Sequence, residues 1–218
     1  MSAAAAALVV LSSVSAAGWE PLRFKKVQRA TEYAYAEGAF HAVSSASSSG
    51  MIFRLSGPAA ERPVLSWRWK VNAPLVHAGE RAKDGDDFAA RVYVTFRYEP
   101  RRAGLGTRAK YALAKALYGE YPPHAGIAYV WAGHEPAGSS WPNPYTDRVR
   151  MLAVRSGSAG AGTWAAERRD LLADYAALFG EPPPPLAGVA VMTDTDQTGA
   201  RAEAWYADIA LAAPSTGR

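Results

Sequence analysis

The chain contains no cysteine. That excludes a disulfide framework, a thiolate metal centre, a cysteine nucleophile and lipid attachment through an N-terminal cysteine. Histidine is scarce: His41, His77, His124 and His134 are scattered over predicted loops without H-E-x-x-H spacing, so zinc has no ligand set. No G-x-S-x-G elbow marks a serine nucleophile, and no glycine-rich phosphate loop occurs. Charge of one sign is also thin. Lys and Arg number 24 against 20 Asp and Glu, a net +4, with no block of five or six like charges. A nucleic-acid partner would call for a basic stripe interleaved with aromatics, and none is present. Long apolar runs are missing as well: Ala3 to Leu11 falls well short of the ~20 residues of a membrane helix.

What the N-terminus does have is that short apolar run followed by the small residues Ser12, Ser13, Ser15, Ala16 and Ala17. Val14 with Ala16, or Ser15 with Ala17, satisfies the rule for signal-peptide cleavage, although no Lys or Arg precedes the run. The expectation is a signal peptide over 1–17 and an exported, periplasmic protein whose one domain covers 18–213. A chain of 218 residues suits one all-β domain.

Alternation dominates the rest. Leu65, Trp67, Trp69 and Val71 share one face of a strand while Ser66, Arg68 and Lys70 share the other. Val92, Val94 and Phe96 alternate in the same way with Arg91, Tyr93, Thr95 and Arg97. Tyr129 and Trp131 fall together, and so do Val149, Met151 and Ala153. The serine run Ser44–Gly50 reads as a loop tip. The period changes over 101–121, where Tyr111, Ala114, Leu117 and Tyr118 predict a short helix ended by Pro122. Leu171, Leu172, Tyr175 and Leu178 predict a second helix, closed by Gly180. Pro142 and Pro144 predict that Trp141–Tyr145 projects as a rigid loop. About ten strands without βα alternation imply an all-β fold: an antiparallel jelly-roll-like β-sandwich with two short inserted helices.

Seven segments appear in a specific order: WRWKV (67–71), GDDFAARVYVTF (85–96), YVWA (129–132), WPNPYTDRVRM (141–151), ERRDLLADY (167–175), GVAVMTDTDQTG (188–199) and AWYADI (204–209). Together they resemble the bacterial domain-of-unknown-function family DUF3047, across nearly the whole mature chain. The resemblance implies an exported β-sandwich and no established activity. The last strand is also similar, over a short stretch, to that of carbohydrate-binding jelly-roll sandwiches.

Polar residues opposite the apolar strand faces form the candidate site: Arg91, Tyr93, Trp131, Arg148, Arg150, Asp194, Asp196 and Tyr206. Arginine forks recognise carboxylates and hydroxyls in a plane, and aromatic rings stack on sugar faces. The first expectation is therefore a non-catalytic glycan-binding module of the cell envelope, or one taking a small acidic ligand. Structural ion pairs among the same residues are the plain alternative. A glycan-active hydrolase or lyase would need paired carboxylates, for which Asp194, Asp196 and Glu167 are candidates. An envelope assembly protein would use the Trp141–Tyr145 loop as its contact. No cofactor is expected, with one exception to test: Asp84, Asp86 and Asp87 in the DGDD turn offer hard oxygens to calcium without an EF-hand pattern.

Overall fold

The computed structural model describes residues 9–12, 16–102 and 124–214, with scattered positions between 104 and 112. Its strands are β1 (Val9–Ser12), β2 (Trp19–Leu22), β3 (Glu32–Ala36), β4 (Ala39–Ser45), β5 (Ser48–Arg54), β6 (Val64–Val71) and β7 (Arg91–Phe96). These are followed by β8 (Ala125–Ala132), β9 (Ser140–Asn143), β10 (Thr146–Ser156), β11 (Ala165–Asp170), helix α1 (Leu171–Phe179), β12 (Leu186–Asp194) and β13 (Arg201–Ala212).

They build two sheets. One runs β11-β6-β13-β4-β3, with β1 added alongside β13; the other runs β2-β5-β12-β7-β8-β10-β9. All pairings are antiparallel except β8 with β10. The expected antiparallel jelly-roll-like sandwich is the architecture found, apart from that one parallel pairing.

The alternating strands supply the core, because successive side chains point to opposite faces. Leu65, Trp67, Trp69 and Val71 of β6 are buried against Val92, Val94 and Phe96 of β7 and Ile127, Tyr129 and Trp131 of β8. Tryptophans bridge the sheets, with Trp67 5.3 Å from Tyr129 and Trp69 5.8 Å from Trp131. A second cluster covers part of the other face of the seven-stranded sheet, where Phe88 and Trp141 pack over Ala128, Val130, Met151 and Ala153.

Several expectations change here. Ser44–Gly50 is no loop tip: β4 and β5 almost meet, and the chain crosses between sheets through Ala46 and Ser47. Ser44, Ser47, Ser48 and Ser49 are buried. Small hydroxyl residues suit this crossing because they satisfy one another. Ser44 Oγ lies 2.8 Å from Thr195 Oγ1, and Thr31 Oγ1 donates to the Thr193 carbonyl at 2.7 Å. The Trp141–Tyr145 segment also departs from a projecting loop. Trp141 lies in β9 and is buried, because Phe88 and the Arg81 guanidinium cover its ring.

The helix expected at Leu171 is present as α1. Asp170 caps it by accepting from the Leu172 and Ala173 amides at 2.9 and 3.1 Å, and Gly180 ends it at φ 74°. The helix expected over 101–121 falls largely outside the described residues. So does most of the expected signal peptide, except that Val9–Ser12 pairs with β13 and Leu11 is buried there. Among the described residues, no helix is long and apolar enough to cross a membrane.

Candidate functional site

The outer face of the seven-stranded sheet carries an open cleft of about 860 Å³. That volume lies within the usual ~300–1,000 Å³ of ligand pockets. Its floor follows from the register. Ala190 pairs with Tyr93 and Met192 with Arg91, while Ile52 pairs with Ala190 on the far side. Alternation turns all of these toward the cleft, with Thr95 and Gly126 beyond them. Small side chains make it deep. A Cβ on Gly126 would come within 3.4 Å of both Val149 and the Val94 carbonyl.

Two walls rise from the sheet edges. The chain leaving β2 supplies Phe24, Lys26 and Val27; the end of β9, the turn after it and the start of β10 supply Asn143, Tyr145, Asp147 and Arg148. Phe24 and Tyr145 are 37% and 56% exposed, so two aromatic rings stand at opposite edges. Tyr145 is fixed at both ends. Its amide donates to Asn143 Oδ1 at 3.0 Å, and its hydroxyl donates to the Lys83 carbonyl at 3.0 Å.

At one end of the floor sits a buried ionic group. Asp194 ends β12, Arg91 begins β7, and Asp86 comes from the turn before β7. Gly85 lets that turn fold tightly, since a Cβ there would lie 2.4 Å from the Gly79 carbonyl oxygen. Arg91 is 1% exposed, yet every N–H of its guanidinium has an acceptor. Nε donates to Asp194 Oδ1 at 2.8 Å, Nη1 to Asp86 Oδ1 and the Tyr93 hydroxyl at 3.1 Å each, and Nη2 to Asp194 Oδ2 and the Asp86 carbonyl. A guanidinium has five N–H donors, so none is left over.

The electrostatics follow from crowding. Burial works against the Arg91 charge, but Asp194 and Asp86 hold the guanidinium firmly protonated. Burial pushes the Asp194 carboxyl up to about 8, against the pull of Arg91 and with a further push from Asp86 and Asp87. Asp86 is raised in the same way, burial first. Tyr93 is pushed up to about 12 by burial, so it stays a neutral hydroxyl.

The structure thus brings Arg91, Tyr93, Arg148, Asp194 and Asp196 to one cleft. It places the other three candidates elsewhere. Trp131 belongs to the core between the sheets, where its Nε1 donates to the Gly157 carbonyl at 3.0 Å. Tyr206 is buried there too and donates to the Met192 carbonyl at 2.6 Å. The Arg150 guanidinium lies 5.7 Å over the Phe179 ring of α1. Glu167, the third suggested carboxylate, is on β11 in the opposite sheet, accepting from Arg155 Nε at 2.6 Å and Trp69 Nε1 at 3.1 Å. The residues that sequence reasoning missed are Phe24, Lys26, Asn143, Asp147 and Gln197, which lie at strand ends or beyond them, where periodicity marks no direction.

The suggested calcium set rearranges. Asp84 is exposed and stands apart, while one oxygen each from Asp87, Asp194 and Asp196 lies within 4.8 Å of the others. Three carboxylates supply fewer oxygens than the six to eight that calcium takes, and two of the three are already committed. Asp87 accepts from the Gln197 amide and from the amide and hydroxyl of Thr198, and Asp194 is committed to Arg91 and the Phe88 amide. Of these three carboxylates, Asp196 alone keeps a buried oxygen, Oδ1, without a hydrogen-bond partner.

Solved structures similar to this chain include a family 11 carbohydrate-binding module of the cellulosomal cellulase Lic26A-Cel5E of Clostridium thermocellum. It is 9% identical over 97% of both chains, with a TM-score of 0.45. A family 11 module from the same organism, in complex with a β-1,3-1,4-mixed-linked tetrasaccharide, is 8% identical over 97% of this chain and 98% of that one (TM-score 0.44). A cellulase derived from Cel12A of Rhodothermus marinus is 14% identical over 94% and 100%, with a TM-score of 0.49. The likeness is one of fold. No curated protein matches the chain. The family described as "Protein of unknown function (DUF3047)" matches residues 17–210, which span almost the whole sandwich, and the chain belongs to it.

Proposed function

We propose that this protein is a non-catalytic glycan-binding protein of the cell envelope, holding an extended sugar chain in the cleft across its seven-stranded sheet. The observation that carries the reading is the cleft itself. It is an open trough with aromatic rings at both edges, Phe24 and Tyr145, and hydroxyl, amide and carboxylate groups along it. Sugars present an apolar ring face and a rim of hydroxyls, so stacking platforms with scattered polar partners suit them. From β2 to β10 the floor crosses six strands, roughly 24 Å at the usual ~4.8 Å strand spacing, enough for several sugar units in a row.

The arrangement of carboxylates favours binding over hydrolysis. A glycosidase needs one carboxyl to give a proton and another to act on the sugar or on water. Asp194 is 1% exposed with both oxygens held by Arg91, and Glu167 lies in the other sheet. Nor does the Trp141–Tyr145 segment favour an assembly role, since its tryptophan is buried. Export to the periplasm forms part of the proposal, on the strength of the apolar run and small residues at the N-terminus.

A panel of soluble polysaccharides run against the purified protein by affinity electrophoresis tests the reading. Retardation by at least one glycan is expected, weakened in Tyr145→Ala. No retardation by any of them overturns the proposal.

A further inference from the structure

We infer that the cleft takes a glycan carrying an apolar group, an acyl or alkyl chain joined to a sugar, with the sugar on one half and the chain on the other. This inference rests on the glycan-binding reading above and narrows it to a ligand class.

The two halves of the cleft differ in chemistry. Toward β7 and β10 the lining is polar, with Arg91, Tyr93, Thr95, Asn143, Asp147 and Arg148. Toward β2 it is apolar. A Cβ on Gly50 would lie 3.6 Å from both Leu22 Cδ2 and Met192 Cβ, so Leu22 and Met192 rise from the same face of the sheet. Likewise a Cβ on Gly188 would lie 3.4 Å from Ile52 Cδ1 and from Thr95 Oγ1. Ile52 and Met192 form a nearly covered base, 9% and 7% exposed. The surface open to a ligand belongs to the residues above them: Phe24 is exposed, and Leu22 and Val27 are half-buried. The Val27 amide donates to the Phe24 carbonyl at 3.1 Å, a turn that holds both side chains on one wall.

Sugars suit the first half better than the second. A sugar offers a ring face to flat aromatic rings and hydroxyls to polar partners. The branched side chains of Leu22, Val27 and Ile52 present no flat face. Ser48 and Asp194 are paired at the ionic end. That leaves Lys26, exposed at the rim, as the polar side chain of the apolar half among the described residues. Sugar hydroxyls desolvated there would give up water without gaining partners, which is costly. A hydrocarbon chain gives up nothing polar, and each methylene it buries raises affinity about four-fold. Because β2, β5 and β12 are neighbours, the apolar half is roughly 10 Å wide at the usual ~4.8 Å strand spacing, room for a short chain.

Isothermal titration with methyl, butyl and octyl glycosides of glucose, galactose and N-acetylglucosamine, each below its micelle-forming concentration, tests the inference. For at least one sugar the octyl glycoside is expected to bind about ten-fold more tightly than the methyl glycoside, or better. That ratio should fall several-fold in Phe24→Ser and in Val27→Ser, two separate positions on the wall, so one variant failing to fold leaves the other. A gain complete at butyl identifies a glycan with short ester groups, and a gain that continues to octyl identifies a glycolipid; both support the inference. Equal binding of methyl and octyl glycosides, or none by any of them, overturns it and leaves the glycan-binding reading to the polysaccharide panel. A full octyl gain in both folded variants also overturns it, by placing the chain elsewhere. Octyl tetraethylene glycol ether carries the same chain and no sugar. Its binding as tightly as the best octyl glycoside would overturn the glycan-binding reading itself.

Discussion

Arg91 and Asp194, 103 residues apart in the chain, meet side by side beneath the cleft, Nε and Nη2 of one donating to the two carboxylate oxygens of the other. The pair closes the end of β12 onto the start of β7, two strands that are already neighbours in the sheet. Its place in the molecule is structural: it supports the floor that a ligand would rest on.

Arg91→Ala should therefore unfold the protein more readily rather than merely weaken binding. Removing the guanidinium strips the buried oxygens of Asp194 and Asp86 of their donors, at a cost of about 3–5 kcal/mol. A drop of roughly 10 °C in melting temperature is expected, read by differential scanning fluorimetry. Arg91→Lys should be nearly as harmful, because an ammonium cannot span both Asp194 oxygens. A variant that melts like wild type would show that the pair contributes nothing to the fold.

Stability should fall as pH rises between about 4 and about 8. Asp194 in the fold is raised to about 8, whereas an unfolded aspartate titrates near ~3.9. Within that window the native state keeps a proton that the unfolded chain has released, so each step upward in pH favours unfolding. Above the window this contribution is flat. Urea titrations from pH 5 to 9 check the slope, which Asp194→Asn should reduce. A wild-type slope of opposite sign would count against a protonated Asp194.

Neighbouring aromatics in one segment should behave in opposite ways. Tyr145 is 56% exposed and Trp141 is 3% exposed. Tyr145→Ala should change stability by less than about 1 kcal/mol, as exposed sites do, while weakening glycan retardation several-fold. Trp141→Ala should cost about 3–5 kcal/mol through the cavity it leaves beside Phe88. Equal loss of stability in both would contradict the placement of Tyr145 on the cleft wall.

Millimolar calcium should leave the melting temperature within about one degree, and so should EDTA. An ion that binds the native state raises its stability by mass action. Asp87 and Asp194 already spend their oxygens on Thr198, Gln197, Phe88 and Arg91. A rise of several degrees with calcium would reinstate the acidic cluster as a cation site.

Processing after Ala17 should lower the melting temperature by several degrees relative to the unprocessed chain. Leu11 is buried, and Trp19 Nε1 donates to its carbonyl at 2.8 Å. Burial of a leucine side chain is worth about 1.5–3 kcal/mol, which corresponds to roughly 5 °C in a chain of this size. Identical melting of the two forms would mean that β1 adds nothing to the sandwich.

Much of the fold could be read from strict alternation. In β6 and β7 every second residue is a large hydrophobe, and both strands pack as their patterns say. Alternation separates two faces without naming the inward one. That is why Trp131 and Tyr206 looked available for a ligand while both lie between the sheets. In β8 even the second face is covered, since Val130 and Ala132 lie under Phe88 and Trp141. Arg91, Tyr93 and Asp194 were legible as cleft residues because the opposite parity of their strands is plainly apolar. Asn143 and Asp147 were not, for they stand at the facing ends of β9 and β10, too close to the turn for alternation to show, and Gln197 sits in a turn. The saturation of Arg91 was hidden for a different reason. It needs Asp86 five residues earlier and Asp194 far along the chain, and only folding brings both to one guanidinium.

Tyr145 is held at its amide by Asn143 and at its hydroxyl by the Lys83 carbonyl, and Asn143 Nδ2 in turn donates to Asp86 Oδ2 at 3.2 Å. This edge of the trough is a fixed jaw, anchored through Asp86 to the same guanidinium that underlies the floor. A ligand arriving there would find the gap already set and would have little of the protein to order on binding. Related glycans should then associate at similar rates and differ in how long they stay, with the ring of Tyr145 timing their release.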